Sequence, residues 1–218
     1  MKPENIPDLA RYWSDVARDF DAIYSGDKGP LSRTLDRWLR KDMYQRFAWV
    51  LERSSGIQGQ TACDIGCGSG RFATALAKQG ASRVVGVDIA PQMLELARAL
   101  AARQGVEQVC EFLHTDVLDW QTTEQFDEVI AIGLWDYIAD PRPRLRVIRR
   151  LCRGKFLSTW PRLWTWRTPI RKVRLNLKGC PVYFFRRPQI DRYLQESGFR
   201  IRSCEVIGKL YCVEAEPV

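Results

Sequence analysis

Apolar residues recur at steps of three and four along the first part of the chain: Ile6, Leu9, Trp13, Val16, Phe20 and Ile23. That spacing gathers them on one face of an amphipathic helix. The run SGDKGP, residues 25–30, interrupts it with turn-forming residues. A second helical pattern passes through Leu35, Trp38, Leu39, Phe47 and Leu51 and ends near Gly56. Beyond it, strand-like runs alternate with helix-period segments. TACDI predicts a first strand, and RFATALAKQ a helix closed by Gly80. RVVGVDI predicts a second strand, and PQMLELARALAARQ a helix with proline at its start and Gly105 past its end. VCEFLHTDV and FDEVIAIG give the third and fourth strands. A helix through Leu145, Ile148 and Leu151 leads to a fifth, KFLSTW, and QIDRYLQES forms a last helix ended by Gly198. RIRSCEVIG and LYCVEAE follow back to back, with room for only a short turn between them.

Alternating strands and helices predict an α/β fold with a Rossmann-like, doubly wound, seven-stranded sheet. The sheet is mostly parallel, and its last two strands form an antiparallel hairpin at one edge. A helical cap, residues 1–55, precedes the sheet domain of residues 56–218. Ligands of such sheets bind at the carboxyl ends of the strands, where strand order reverses.

Composition narrows the class. The 218 residues, 45% hydrophobic, suit one globular domain with an appendage. The N-terminus lacks the pattern of a signal peptide, and no apolar run approaches the ~20 residues that span a bilayer. Seven cysteines without framework spacing predict reduced thiols in a cytoplasmic protein, and no metal site is expected. The net charge of +8 is uneven. Residues 141–190 hold fifteen Lys or Arg and no acid, leaving −7 on the rest of the chain.

The densest chemical signal is DIGCGSG, where Gly66, Gly68 and Gly70 fall at the first strand-to-helix turn. One reading is a loop whose backbone approaches a ligand; the other is a tight turn with none. A dinucleotide fold would want G-x-G-x-x-G. Here the spacing is G-x-G-x-G, and Asp64 precedes it, where a carboxylate opposes a pyrophosphate and attracts a cation. Asp88 ends the second strand, placed to accept both hydroxyls of a ribose. Asp116 ends the third, placed to read an adenine amino group while Val117 packs on the ring.

DIGCGSG, VVGVDIAPQML, HTDVLDW and FDEVIAIG, in this order, resemble four successive motifs of class I S-adenosylmethionine (SAM)-dependent methyltransferases. The resemblance covers about residues 61–140. It implies that Asp64, Gly66, Cys67 and Gly68 face the amino-acid end of SAM. It further implies that Asp88 binds the ribose, Ile89 and Met93 line the adenine pocket, and Asp116 and Val117 fix the base. Ile132, Gly133, Leu134 and Trp135 would border the sulfonium. YWSDVARDFDAIY, STWP and CPVYFF are similar to small-molecule methyltransferases of the magnesium-protoporphyrin and quinone type.

Methyl transfer from a sulfonium needs alignment and exclusion of water, and a base only where the acceptor must lose a proton. The sole histidine, His114, sits on a strand near the adenine end and reads as an ordinary strand residue. Trp135, Asp136 and Tyr137 are the catalytic candidates, with packing under the N-terminal helices as the other reading of the two aromatics. Tyr24, Trp135, Tyr137, Arg167, Arg171 and Arg174 are expected at the acceptor. The three arginines belong to a basic and aromatic insertion, about residues 161–187. Its chemistry suits an anionic or lipophilic small molecule, an anionic membrane surface or single-stranded RNA. The small molecule is favoured, because the amino-methyltransferase motif N/D-P-P-Y/F is absent; an RNA methyltransferase or RNA-binding protein is the alternative. The six arginines from Arg142 to Arg153 read as a solvated helix face. The N-terminal helix reads as a lid or as a fixed cover.

Overall fold

The computed structural model describes residues 7–15, 41–163 and 182–218. Residues 7–15 form helix α1, and Lys41–Arg53 forms α2. β1 (Thr61–Ile65) and β2 (Arg83–Asp88) are buried along nearly their whole length, as inner strands of a parallel sheet must be. Between them lies α3 (Arg71–Lys78). Next come α4 (Pro91–Gln104), β3 (Cys110–His114) and β4 (Phe126–Ile132). A short 3₁₀ turn, Trp135–Tyr137, precedes α5 (Arg142–Leu151) and β5 (Cys152–Pro161). The chain closes with α6 (Arg187–Glu196), β6 (Phe199–Ile207) and β7 (Leu210–Pro217).

The seven strands form one sheet in the order β3-β2-β1-β4-β5-β7-β6. Pairs from β3 to β5 are parallel, whereas β7 runs antiparallel to β5 and β6. Strand order reverses between β1 and β4, which opens a crevice at their carboxyl ends. One apolar cluster joins the sheet to α5 and α6 through Leu145, Ile148, Ile190 and Leu194. The other joins it to α2, α3 and α4 through Trp49, Leu76, Leu94 and Ala97. Gly70 allows that second layer to close. Its φ is 73°, and a Cβ there would lie 2.8 Å from the Ala97 Cβ.

Several expected boundaries shift. β3 ends at His114 because Asp116 starts a turn, accepting the Leu118 N–H on Oδ1 and the Asp119 N–H on its carbonyl. β5 begins at Cys152, directly after α5, with Gly154 pressed against the Asp127 carbonyl, where a Cβ would clash. The ends of the expected 161–187 insertion belong to the fold itself. Arg162 bridges to Phe185, the Phe185 N–H donates to the Pro161 carbonyl, and Phe185 is buried edge-on to Trp160. Residues 164–181 lie outside the described residues. No described helix is long and apolar enough to cross a membrane.

Of the six arginines from Arg142 to Arg153, only Arg144 and Arg149 depart from the expected solvated face, and the other four are exposed. Arg144 is buried on Asp116, Arg149 donates to the carbonyls of Gly198 and Val218, and Arg142 and Arg153 pair with Asp140 and Asp127. Arg146 and Arg150 are exposed.

Candidate active site

A cavity of about 260 Å³ fills the crevice at the carboxyl ends of β1, β2 and β4. Leu9 and Trp13 of α1 and Met43 and Arg46 of α2 wall it from the N-terminal side. Gly66, Cys67 and Gly68 form its floor at the glycine turn, with φ of 73° at Gly66 and 52° at Gly68. A Cβ at Gly68 would meet no atom within 4 Å, and one at Gly66 would crowd Leu134. Four of the loop's N–H groups are spent on the protein. Gly66 and Cys67 N–H groups donate to the Val87 carbonyl, Gly68 N–H to Asp88 Oδ2, and Gly70 N–H to the Cys67 carbonyl. The loop therefore admits a ligand by its small size and offers little to a pyrophosphate. Burial holds the Cys67 thiol well above its usual pKa, so it is no nucleophile.

Asp88 closes the loop. Its Oδ2 accepts from Gly68 and its Oδ1 from Ala90, and each oxygen keeps further acceptor capacity toward the cavity it lines. Burial raises the Asp88 pKa, while these N–H groups and that of Ile89 oppose the rise. Asp64 lies elsewhere than the sequence reading set it. It is 1% exposed beneath the loop, outside the cavity lining, with Oδ2 lacking a hydrogen-bond partner among the described residues. The expected contact with the amino-acid end of SAM gives way to a buried place outside the cavity lining.

Burial, with Asp88 close by, pushes the Asp64 carboxyl up from its usual 3.8 to about 8. Between those values the folded protein keeps a proton that the unfolded chain gives up, so stability falls as pH rises. Asp64→Asn has no such proton. We expect the ligand-free wild type to lose stability relative to Asp64→Asn by up to about 1.4 kcal/mol per pH unit as pH climbs toward 8. Calorimetric melting of both proteins checks this, and parallel curves throughout would contradict it.

At the far end, Ile89, Met93, Thr115, Asp116 and Val117 line the cavity. Met93 is buried with Ala90 beneath Trp13 and Leu96. Asp116 accepts from Arg144 Nη2 at 2.8 Å, and both residues line the cavity. His114 points away, with Nε2 3.1 Å from the Ile89 carbonyl, and does not line the cavity. At the opposite end stand Ile132, Gly133, Leu134, Asp136 and Tyr137, with Lys209 from the β6–β7 turn and Leu210 from the start of β7. Trp13 meets Tyr137 edge-on at 5.2 Å. Trp135 is a correction. It is fully buried, stacked on Trp160 at 4.6 Å and absent from the lining, because the 3₁₀ turn directs it into the core. Tyr24, Arg167, Arg171 and Arg174 lie outside the described residues.

Sequence reasoning missed Arg46. Its guanidinium would lie 3.2 Å from a Cβ at Gly133 and sits 6.0 Å from the Phe72 ring centre. Met43, Arg46 and Trp49 recur every third residue on α2, so a cation interrupts the face turned to the sheet. That interruption was the available signal.

A doubly wound sheet, a glycine floor with most of its donors spent internally and an acid closing β2 suit a nucleoside better than a dinucleotide pyrophosphate. Comparison with known proteins agrees. A methyltransferase domain family matches residues 62–155. A ubiquinone biosynthesis O-methyltransferase of Aeromonas salmonicida (strain A449) is 35% identical over 117 residues, 52% of this chain and 49% of that protein. The match thus spans about half the length of that relative. A protein of the same description from Pseudomonas paraeruginosa (strain DSM 24068 / PA7) is 30% identical over 213 residues, 93% of this chain and 83% of that one. Magnesium protoporphyrin IX methyltransferase from Synechocystis PCC 6803, solved with bound S-adenosylhomocysteine (SAH), superposes with a TM-score of 0.78 at 20% identity. That superposition covers 96% of this chain and 98% of the other. The chain belongs to the class I SAM-dependent methyltransferases, and SAM is its cofactor.

Proposed function

We propose that this methyltransferase acts on an oxygen of a small molecule that is acidic or lipophilic. The observation that carries the reading is the make-up of the cavity beside Gly133 and Leu134. Its lining includes Leu9, Trp13, Tyr137 and Leu210, with Arg46 and Lys209 as cations, Asp136 as an acid and no histidine. The names of the two curated relatives support an oxygen acceptor.

Within this reading the cofactor supplies an electrophilic methyl group on a sulfonium. Asp88 takes the ribose hydroxyls, and Ile89, Met93 and Val117 cover the adenine, with Asp116 on its amino group. Gly66, Cys67 and Gly68 give the amino-acid portion room, Arg46 suits its carboxylate, and Ile132, Gly133 and Leu134 border the reacting centre. Asp136 and Tyr137 orient the acceptor, and Lys209 pairs with its negative charge. An acceptor oxygen that is already ionised at neutral pH, such as a carboxylate, needs no base. The helix of residues 7–15 serves as a lid that excludes water once both molecules are in place.

Tritiated-methyl SAM offered to lipophilic carboxylic acids, phenols, amines and RNA tests the reading. Label is expected in an ester or ether of a small molecule, and Lys209→Gln is expected to raise the acceptor KM about tenfold with SAM affinity unchanged. Label confined to amines or RNA would overturn it.

A further inference from the structure

Arg144 reaches from α5, in the β4–β5 connection, to a carboxylate at the end of β3. The side chains of Arg144 and Asp116 are 5% and 9% exposed, so the pair is withdrawn from water. Asp116 has one oxygen on Arg144 Nη2 at 2.8 Å and the other on the Leu118 N–H at 3.0 Å. Two partners from different directions fix the carboxylate plane, and a buried carboxylate without its cation would be poorly held. Both residues also line the cavity, so the pair stands beside the space a ligand would fill.

We infer that Arg144 is a positioning residue that sets the cofactor's base selectivity, by aiming Asp116 at the exocyclic amino group of adenine. The inference concerns the cofactor end and stands apart from the identity of the acceptor. It separates purines by what they carry at the six position. An amino group donates to the aimed carboxylate, and a carbonyl oxygen in its place sets two acceptors face to face. Arg144 itself does not have to touch the base.

Calorimetric titration with SAH and with S-inosylhomocysteine, which has a carbonyl in place of the amino group, reads this directly. Wild type is expected to prefer SAH by roughly thirtyfold or more, the value of one hydrogen bond to a charged acceptor. In Arg144→Met the preference is expected to fall below about fivefold, mostly through weaker SAH binding, and Arg144→Lys is expected to restore much of it. Melting of each variant is followed in parallel. Should Arg144→Met fail to fold, Arg144→Lys and Arg144→Gln carry the comparison, the first keeping the preference and the second losing it. A lower melting temperature with an unchanged preference would overturn the inference and leave Arg144 as a structural staple. Equal binding of the two ligands by wild type would overturn it as well, at the level of Asp116.

Discussion

Asp88→Ala is expected to lower SAM affinity about a hundredfold or more in a protein that still folds. The carboxylate is placed to accept two ribose hydroxyls, and each hydrogen bond to a charged acceptor is worth roughly 1.5–3 kcal/mol. Its second duty adds to the loss. Oδ2 anchors the Gly68 N–H and Oδ1 the Ala90 N–H, so removing the carboxylate also loosens the glycine floor and the turn into α4. The core is spared, because Asp88 sits at the end of β2 and the buried residues of that strand are Val84, Val85, Gly86 and Val87. Asp88→Asn keeps the shape and loses the charge, and belongs between wild type and alanine. Titration calorimetry on folded variants measures this, and unchanged affinity in Asp88→Ala would remove the ribose assignment.

Deletion of residues 1–24 is expected to cut turnover by about a hundredfold or more while the sheet domain still unfolds cooperatively. Trp13 is the reason. It stands against Tyr137 at 5.2 Å and packs over Ala90 and Met93, so one side chain covers both ends of the cavity. The sheet does not depend on it, since both large apolar clusters are built without residues 7–15. Bound SAH should also slow proteolysis within this segment. Near-normal turnover in the deletion variant would make the helix a cover without a role in the reaction.

Most of the sheet was readable from periodicity alone. Short apolar runs ended by glycine or aspartate fixed the strands, and Pro91 and Gly105 bracket α4 in the sequence as they do in the structure. The cofactor motif was legible for a related reason, since glycines at a strand-to-helix turn and acids at strand ends are local patterns. The residues that escaped are defined by distant partners. Arg144 stands among arginines and reads as solvated until Asp116, 28 positions earlier, is seen beside it. Arg46 lies 87 positions before Gly133, which it faces. Trp135 looked like a site residue because it follows β4, yet the 3₁₀ turn sends it onto Trp160. Asp64 kept its place in the motif and lost its expected contact with the amino-acid end of SAM, because it is buried and absent from the cavity lining.

A crystal structure of the protein with SAH tests the central claim most directly. One SAH molecule is expected in the crevice between β1 and β4, with ribose hydroxyls on Asp88, adenine between Met93 and Val117, its amino group on Asp116, and the carboxylate near Arg46. A ligand bound elsewhere, or an adenosine in the crevice with Asp88 and Asp116 turned away from it, would contradict the account.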